Sequence, residues 1–402
     1  MNPSTSIMEP AAPTLARPFP GAPPGASTSL LIRLGVTSAL LVGYYAYRET
    51  LVPALTSLWQ SLAGTPMATN AAAAWLVAAM LVSVIVLWFD VLRKDKRFYA
   101  PLLITSILLL GDAAFGILEN HSSELLVRLT GGYIENFSPT FIAIFTTIAA
   151  EMLLGRFFYG KWPHLASAYV SGISAGILIK SPATWPFILC GLISITSKYV
   201  LRIGDRHLWN PTNLGVTAML HLAPAFVASL SVQAGNETLF YAIGLISHGD
   251  FSAGFDALAS IQAWSVVIIW ILGGMILWQL GRLHIPLAFI AAFLPLSLVR
   301  AWWTGHEVPT ELAPMTSPMF QLYIFFMITD PKTTTKTRNR QILVAVAVAV
   351  VETAFRLGSD VHSLYHALFV VGPISNLIEI AYERKRSRPP APALHAKEGA
   401  RA

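Results

Sequence analysis

Along the chain, apolar residues come in long blocks rather than alternating with polar ones at the period of two expected of a half-buried strand. A helix needs about 20 apolar residues to cross the hydrocarbon layer of a membrane. Blocks approaching that size predict spans near 29–48, 71–92, 101–118, 139–155, 165–181 and 186–202. Six more are predicted near 212–232, 260–280, 284–303, 316–330, 341–358 and 363–382. In lipid every backbone N–H and C=O must find its partner within the protein, so such blocks form helices. The expected fold is all-α, a polytopic transmembrane helix bundle of about 10–12 spans.

The polar segments between blocks fall into two kinds. Arg93, Lys94, Lys96 and Arg97 fill one, Arg156 and Lys161 a second, Arg202 and Arg206 a third, and Arg282 a fourth. Lys332, Lys336, Arg338 and Arg340 form a fifth, and Arg384, Lys385, Arg386 and Arg388 follow the last block. Segments 49–70, 233–259 and 304–315 carry no Lys or Arg, and 119–138 carries only Arg128. Short basic loops are retained in the cytoplasm, so this pattern predicts a multi-pass inner-membrane protein with both termini cytoplasmic.

Composition agrees with that class. The 402 residues are 54% hydrophobic and 12% charged, against about 25% charged in soluble domains. The net charge of +6 lies in the loop clusters, which argues against nucleic acid and leaves the lipid bilayer and other membrane subunits as expected partners. Cys190 stands alone, which rules out an internal disulfide or a cysteine metal site. Residues 1–28, rich in Pro, Ala, Gly and Ser, are expected to be a disordered cytoplasmic segment. A cleaved signal peptide is not expected there, because the apolar run begins late and contains Arg33. Residues 29–138 are expected to be additional N-terminal spans, 139–383 the core, and 384–402 a basic cytoplasmic tail.

Three stretches stand out. Lys198 to Gly215 runs a basic loop into Asn210-Pro211 and a new apolar helix; proline suits a first helical position, and Asn210 or Asn213 suits a cap whose free amides favour an anion. The same pattern is also simply a tight helix start. Phe325 to Lys336 ends an apolar block in Thr329-Asp330-Pro331-Lys332-Thr333, where hydroxyls and lysines suit a phosphate or ribityl chain and Asp330 a cation or Lys332. An acid and a proline are also how spans ordinarily stop. Between them, Arg282-Leu-His284-Ile-Pro286-Leu begins another span.

Charges inside lipid are costly, which makes Glu151, Asp112 and Glu352 candidates, with Glu151, Asp330 and Glu352 suited to an ion path. Glu151 equally suits a structural pair with Arg156. No Walker loop, dinucleotide glycine fingerprint, HExxH or CxxC occurs. No catalytic side chain and no metal ligand set is identified.

In order, these stretches resemble the NqrB/RnfD family of membrane electron-transport subunits. The match rests on Asn210, Pro211 and Gly215; on Trp278, Gln279, His284, Ile285, Pro286 and Leu287; and on Phe325, Phe326, Thr329, Asp330, Pro331 and Thr333, over roughly residues 140–385. The resemblance implies a subunit of a multi-subunit complex in flavin-linked electron transport coupled to cation movement. On it, Asn210, Pro211, Asn213, Gly215, Thr329, Asp330 and Thr333 are the candidate residues for FMN or riboflavin.

Family members carry FMN on a threonine in a Ser-x-Ala-Thr-like motif. The corresponding loop here reads Ser247-His-Gly-Asp-Phe-Ser-Ala-Gly-Phe-Asp256 and lacks that threonine, with Thr238 upstream in another context. Any flavin is therefore expected to be non-covalent. The Lys198-Tyr-x-x-Arg202 lead-in and the Thr329-Asp-Pro-Lys-Thr333 ending are similar to a divergent branch encoded near enediyne biosynthesis genes, the UnbU-type membrane proteins. The alternative is a transporter, permease or scaffold of a biosynthetic cluster that keeps the fold without the cofactor.

Overall fold

The computed structural model describes residues 28–65, 69–115, 118, 121–122, 127–128, 131, 136–160, 162–204, 206–229, 239–258 and 261–386. The predicted disordered segment, save its last residue, and the tail beyond Arg386 lie outside them.

The bundle begins with α1 (Thr28–Ala63), α2 (Thr69–Lys94) and α3 (Tyr99–Phe115). A two-residue hairpin, β1 (His121–Ser122) with β2 (Asn136–Phe137), leads into α4 (Pro139–Tyr159) and α5 (Ala166–Leu178). Then come β3 (Ile179–Lys180), α6 (Trp185–Val200), the hairpin β4 (Arg202–Ile203) and β5 (Arg206–His207), α7 (Pro211–Leu222) and β6 (Ala228–Ser229). The second half holds α8 (Leu239–Ser247), α9 (Phe251–Leu258), α10 (Ile261–Gln279), α11 (His284–Thr304), α12 (Val308–Leu312) and α13 (Pro318–Leu322). A π-helical turn, Tyr323–Met327, follows, and α14 (Arg338–Leu357) and α15 (Ser363–Arg386) complete it.

Among the described residues, Ala71–Lys94, Pro139–Tyr159, His284–Thr304 and Ser363–Lys385 are long and apolar enough to cross a membrane, with shorter apolar helices at Tyr99–Ala113, Ala166–Leu178, Trp185–Val200 and Val266–Gln279. This is an all-α membrane bundle, as expected. Its outer surface is apolar too, with Phe157, Trp278, Trp302 and Trp303 exposed, which suits lipid rather than water.

The structure departs from the predicted spans and loops in several places, among them these. The expected span 212–232 stops at Leu222 because Ala223 precedes Pro224, which drives the preceding residue out of the helical region; Ala223 sits at φ −136°, ψ 49°. The chain then pairs antiparallel with β3 through Ala228 and Ser229. The expected span 316–330 is α13 plus the π-turn, ten residues of irregular helix. The expected polar loop 49–70 is helical as far as Ala63, as the later half of α1.

Packing depends on close backbone approach. A Cβ on Gly172 would lie 2.6 Å from Ile144 Cα, and one on Gly176 would lie 2.5 Å from Thr140 Cα. These two glycines, one helical turn apart on α5, let α4 settle against it, as small residues do where lipid supplies no hydrophobic drive.

The basic loops gather at one end. Lys96 Nζ donates to Gln279 O (3.2 Å), Arg282 Nη1 to Thr329 O (3.1 Å), Arg206 to Thr334 O, and Lys336 Nζ meets Glu383 (2.7 Å). The strands β3 and β6, and a buried group around Arg300, lie at the other end.

Candidate functional site

The three singled-out stretches converge at the basic end. Asn210 caps α7, its Oδ1 accepting Asn213 N at 3.0 Å, with Pro211 at the first helical position. Its Nδ2 reaches Asp330 Oδ2 and Met327 O, both at 3.4 Å. Asp330 ends the π-turn region, and its Oδ1 accepts the Lys332 amide at 3.0 Å. Thr329 Oγ1 bonds Phe325 O at 2.5 Å, and Thr334 Oγ1 bonds Asp330 O at 2.7 Å. The middle stretch closes the junction: Arg282 holds Thr329 O, and His284 Nε2 meets Gln341 Oε1 at 2.6 Å. Gln341 Nε2 in turn donates to Thr335 O at 2.7 Å.

The seven candidate cofactor residues do not share one surface. Asn210, Thr329, Asp330 and Thr333 meet at the junction. Asn213 is buried and turns to α15, donating to Tyr365 O at 3.1 Å. Gly215 faces α6, where a Cβ would come within 2.7 Å of Cys190 O and closer still to Ser194 Oγ. Pro211 is buried at the start of α7. A cavity of about 10 Å³ lies inside the junction, lined by Asn210, Thr333, Gln341, Ile285, Val348 and Leu368. That is room for roughly one water.

The ion-path candidates also separate. Glu151 pairs with Lys198 rather than Arg156: Lys198 Nζ donates to Glu151 Oε2 (3.1 Å) and Ser167 Oγ (2.9 Å), and Tyr199 OH donates to Glu151 Oε1 (3.0 Å). Arg156 instead bonds Gly160 O. Lys198, near the end of α6, and Asp330 both lie at the basic end of the bundle. Glu352 is at the far end of α14. It accepts from Arg300 (3.2 Å), Arg356 (2.7 Å) and Ser363 (3.1 Å), and Arg300 Nε also donates to Glu311 at 2.8 Å. Burial pushes the Glu311 carboxyl up, but hydrogen bonds from Arg300 and His306 outweigh it and leave it below the usual carboxylate range. Asp112 is tied to Arg48 (2.6 Å) and Tyr44 (2.8 Å).

The acids were visible as charges within apolar blocks. Arg300 carried the same signal, an ionisable group in a span, whereas Lys198 read only as part of a basic loop. Among the described residues no group of His, Cys, Asp and Glu is arranged to hold a metal ion.

No family model matches the chain. It is similar to the RnfD protein of the ion-translocating oxidoreductase complex of Citrobacter koseri, 26% identical over 247 residues, which cover 58% of this chain and 67% of that protein. The chain is RnfD/NqrB-like. The contact of Asn210 with Asp330 across 120 residues of sequence joins the first and last of the stretches that carried that likeness, with the middle one beside them. The RnfD/NqrB-like features thus form one junction, where α7 begins and the π-turn ends.

Proposed function

We propose that the chain is an inner-membrane subunit of an ion-translocating oxidoreductase complex, oriented with its basic end toward the cytoplasm. The convergence of Asn210, Arg282, His284 and Asp330 supports the reading: three segments far apart in sequence build one polar junction against a lipid-facing bundle, at the end where water and partner subunits are accessible. In this reading Glu151, Lys198 and Asp330 form the cytoplasmic mouth of an ion path. A buried charge pair at the same end as a third ionisable group can exchange partners as an ion arrives, at low net charge. Glu352, neutralised by two arginines, holds α11, α14 and the start of α15 together instead.

The polar rim of the junction suits ribityl hydroxyls or a phosphate, with Asn210 and Thr333 as the holding groups. The enclosed space does not suit a flavin ring, which needs a pocket of about 300 Å³ or more.

Purification of the full chain from its native membrane in mild detergent tests the proposal. The expected result is co-purification of cofactor-bearing redox subunits and donor-driven cation uptake by the resealed complex, reduced at least tenfold by Asp330→Asn with assembly intact. A colourless chain recovered alone, or uptake indifferent to Asp330→Asn, overturns it. The missing threonine of Ser247–Asp256 favours the second reading, a transporter that keeps the fold; solute flux by the chain alone distinguishes it.

A further inference from the structure

The helix α7 carries a polar stripe that runs on from the junction, buried at its middle two positions, Asn213 and Thr217. Asn210, Asn213, Thr217 and His221 follow one another at intervals of three, four and four residues, the spacing of a single helix face. At 1.5 Å per residue the stripe runs about 17 Å, from Asp330 to the far end of the helix. Its partner is α15. Asn213 Nδ2 donates to Tyr365 O at one level, and the rings of His221 and His366 lie 4.8 Å apart at the other.

Between these contacts the polar atoms are unmatched. Asn213 and Thr217 are each 1% exposed, and Asn213 Oδ1 and Thr217 Oγ1 have no hydrogen-bond partner among the described residues. Leaving such an atom dry costs about 1–3 kcal/mol. Two of them at successive turns of one face are what a short file of water would satisfy.

The far end is built from groups that accept protons. His221 Nδ1 bonds the Thr217 carbonyl at 2.9 Å, so that nitrogen carries the hydrogen and Nε2 is the basic one. His366 Nδ1 bonds Asp360 Oδ2 at 2.5 Å, which leaves its buried Nε2 without a partner among the described residues. His362 lies edge-on to His366, with ring centroids 6.1 Å apart, and Phe355 closes the group from α14. His221 itself is exposed, so the cluster opens to the surface opposite the basic end.

We propose that the α7–α15 seam is a hydrated proton path, leading from the His221, His362, His366 and Asp360 cluster past Thr217 and Asn213 to Asn210 and Asp330. A proton enters on a histidine Nε2, passes along water hydrogen-bonded to Thr217 Oγ1 and Asn213 Oδ1, and reaches the Asp330 carboxylate. This deepens the proposed function by naming the ion. It rests on that reading only for the use the path serves.

Silver ion, small enough to follow water and strongly reactive with thiols, tests hydration in the full chain reconstituted in liposomes with Cys190→Ala as background, the thiol-free chain showing how much silver the path histidines take up by themselves. Thr217→Cys is expected to be blocked at least tenfold faster than Val216→Cys, whose position is buried on another face of α7. Equal rates overturn the proposal. The unsubstituted chain, which needs no variant to fold, is expected to acidify pyranine-loaded liposomes under a valinomycin potential, with Thr217→Val lowering the flux at least fivefold. No proton flux, or sodium flux alone, also overturns it. Proton flux in liposomes together with a chain recovered alone and colourless from its native membrane would overturn the proposed function and leave the path standing.

Discussion

At the residue scale the buried ion pairs decide most. Removing one partner of such a pair leaves an uncompensated charge and costs about 3–5 kcal/mol, whereas replacing both is often neutral. Lys198→Met is therefore expected to lower the thermal stability of the detergent-solubilised protein sharply, and Lys198→Met with Glu151→Gln to recover at least half of the loss. A double variant no better than the single would show that the two do not pair. A second prediction concerns Leu239–Leu258, which contains no threonine. Denaturing gels of the purified chain viewed under ultraviolet light are expected to show no flavin fluorescence at its band; a fluorescent band would place a covalent flavin on some other residue. The sequence displayed the acids of these pairs plainly, because a carboxylate in an apolar block is conspicuous. It did not display their partners. Lys198 belongs to α6 and Glu151 to α4, and only the packing of those helices makes them neighbours.

Elements were legible in proportion to their regularity. The long helices α2, α4, α11 and α15 fall where the apolar blocks lie, because a continuous block in lipid has no alternative to a helix. The interrupted elements did not show themselves. The early stop of α7 follows from Pro224, and the π-turn at Tyr323–Met327 has no local signal, since its extra residue is accommodated by the packing around it. Glycine contacts were equally hidden, and they give a paired prediction. Gly176→Ala would drive a Cβ into the Thr140 backbone across the α4–α5 seam, whereas nothing lies within 4 Å of the same atom on Gly274. The first change is expected to cost several kcal/mol or prevent a monodisperse product. The second should be neutral or slightly stabilising, since alanine is the better helix former by about 1 kcal/mol. Equal behaviour of the two in size-exclusion chromatography would mean that α4 and α5 do not meet through glycine.

For the whole molecule the question is what the N-terminal helices contribute. A reading from sequence separates residues 29–138 from the core; α1 and α2 pack on each other and put Tyr44, Val77, Met80 and Leu81 into the main apolar cluster, while Val84, Trp88 and Leu92 form a small cluster of their own. The helix α3 reaches deeper: Leu103, Ile104, Ile107 and Leu108 lie in the same apolar cluster with Phe289 and Phe320. A polar tie between α1 and the rest is Asp112 on α3. Its carboxylate accepts from Arg48 and Tyr44 of α1 and from the Leu118 amide at 2.9 Å. Deleting residues 1–94 removes the guanidinium and the phenol together, leaving a carboxylate at the lipid boundary with one amide donor, at a cost of about 3–5 kcal/mol. The truncated chain is therefore expected to aggregate on extraction, and the same truncation carrying Asp112→Leu to elute as a single species. If both truncated forms behave alike, whether both fold or both aggregate, then α1 serves the bundle through its apolar surface and not through the charge it neutralises.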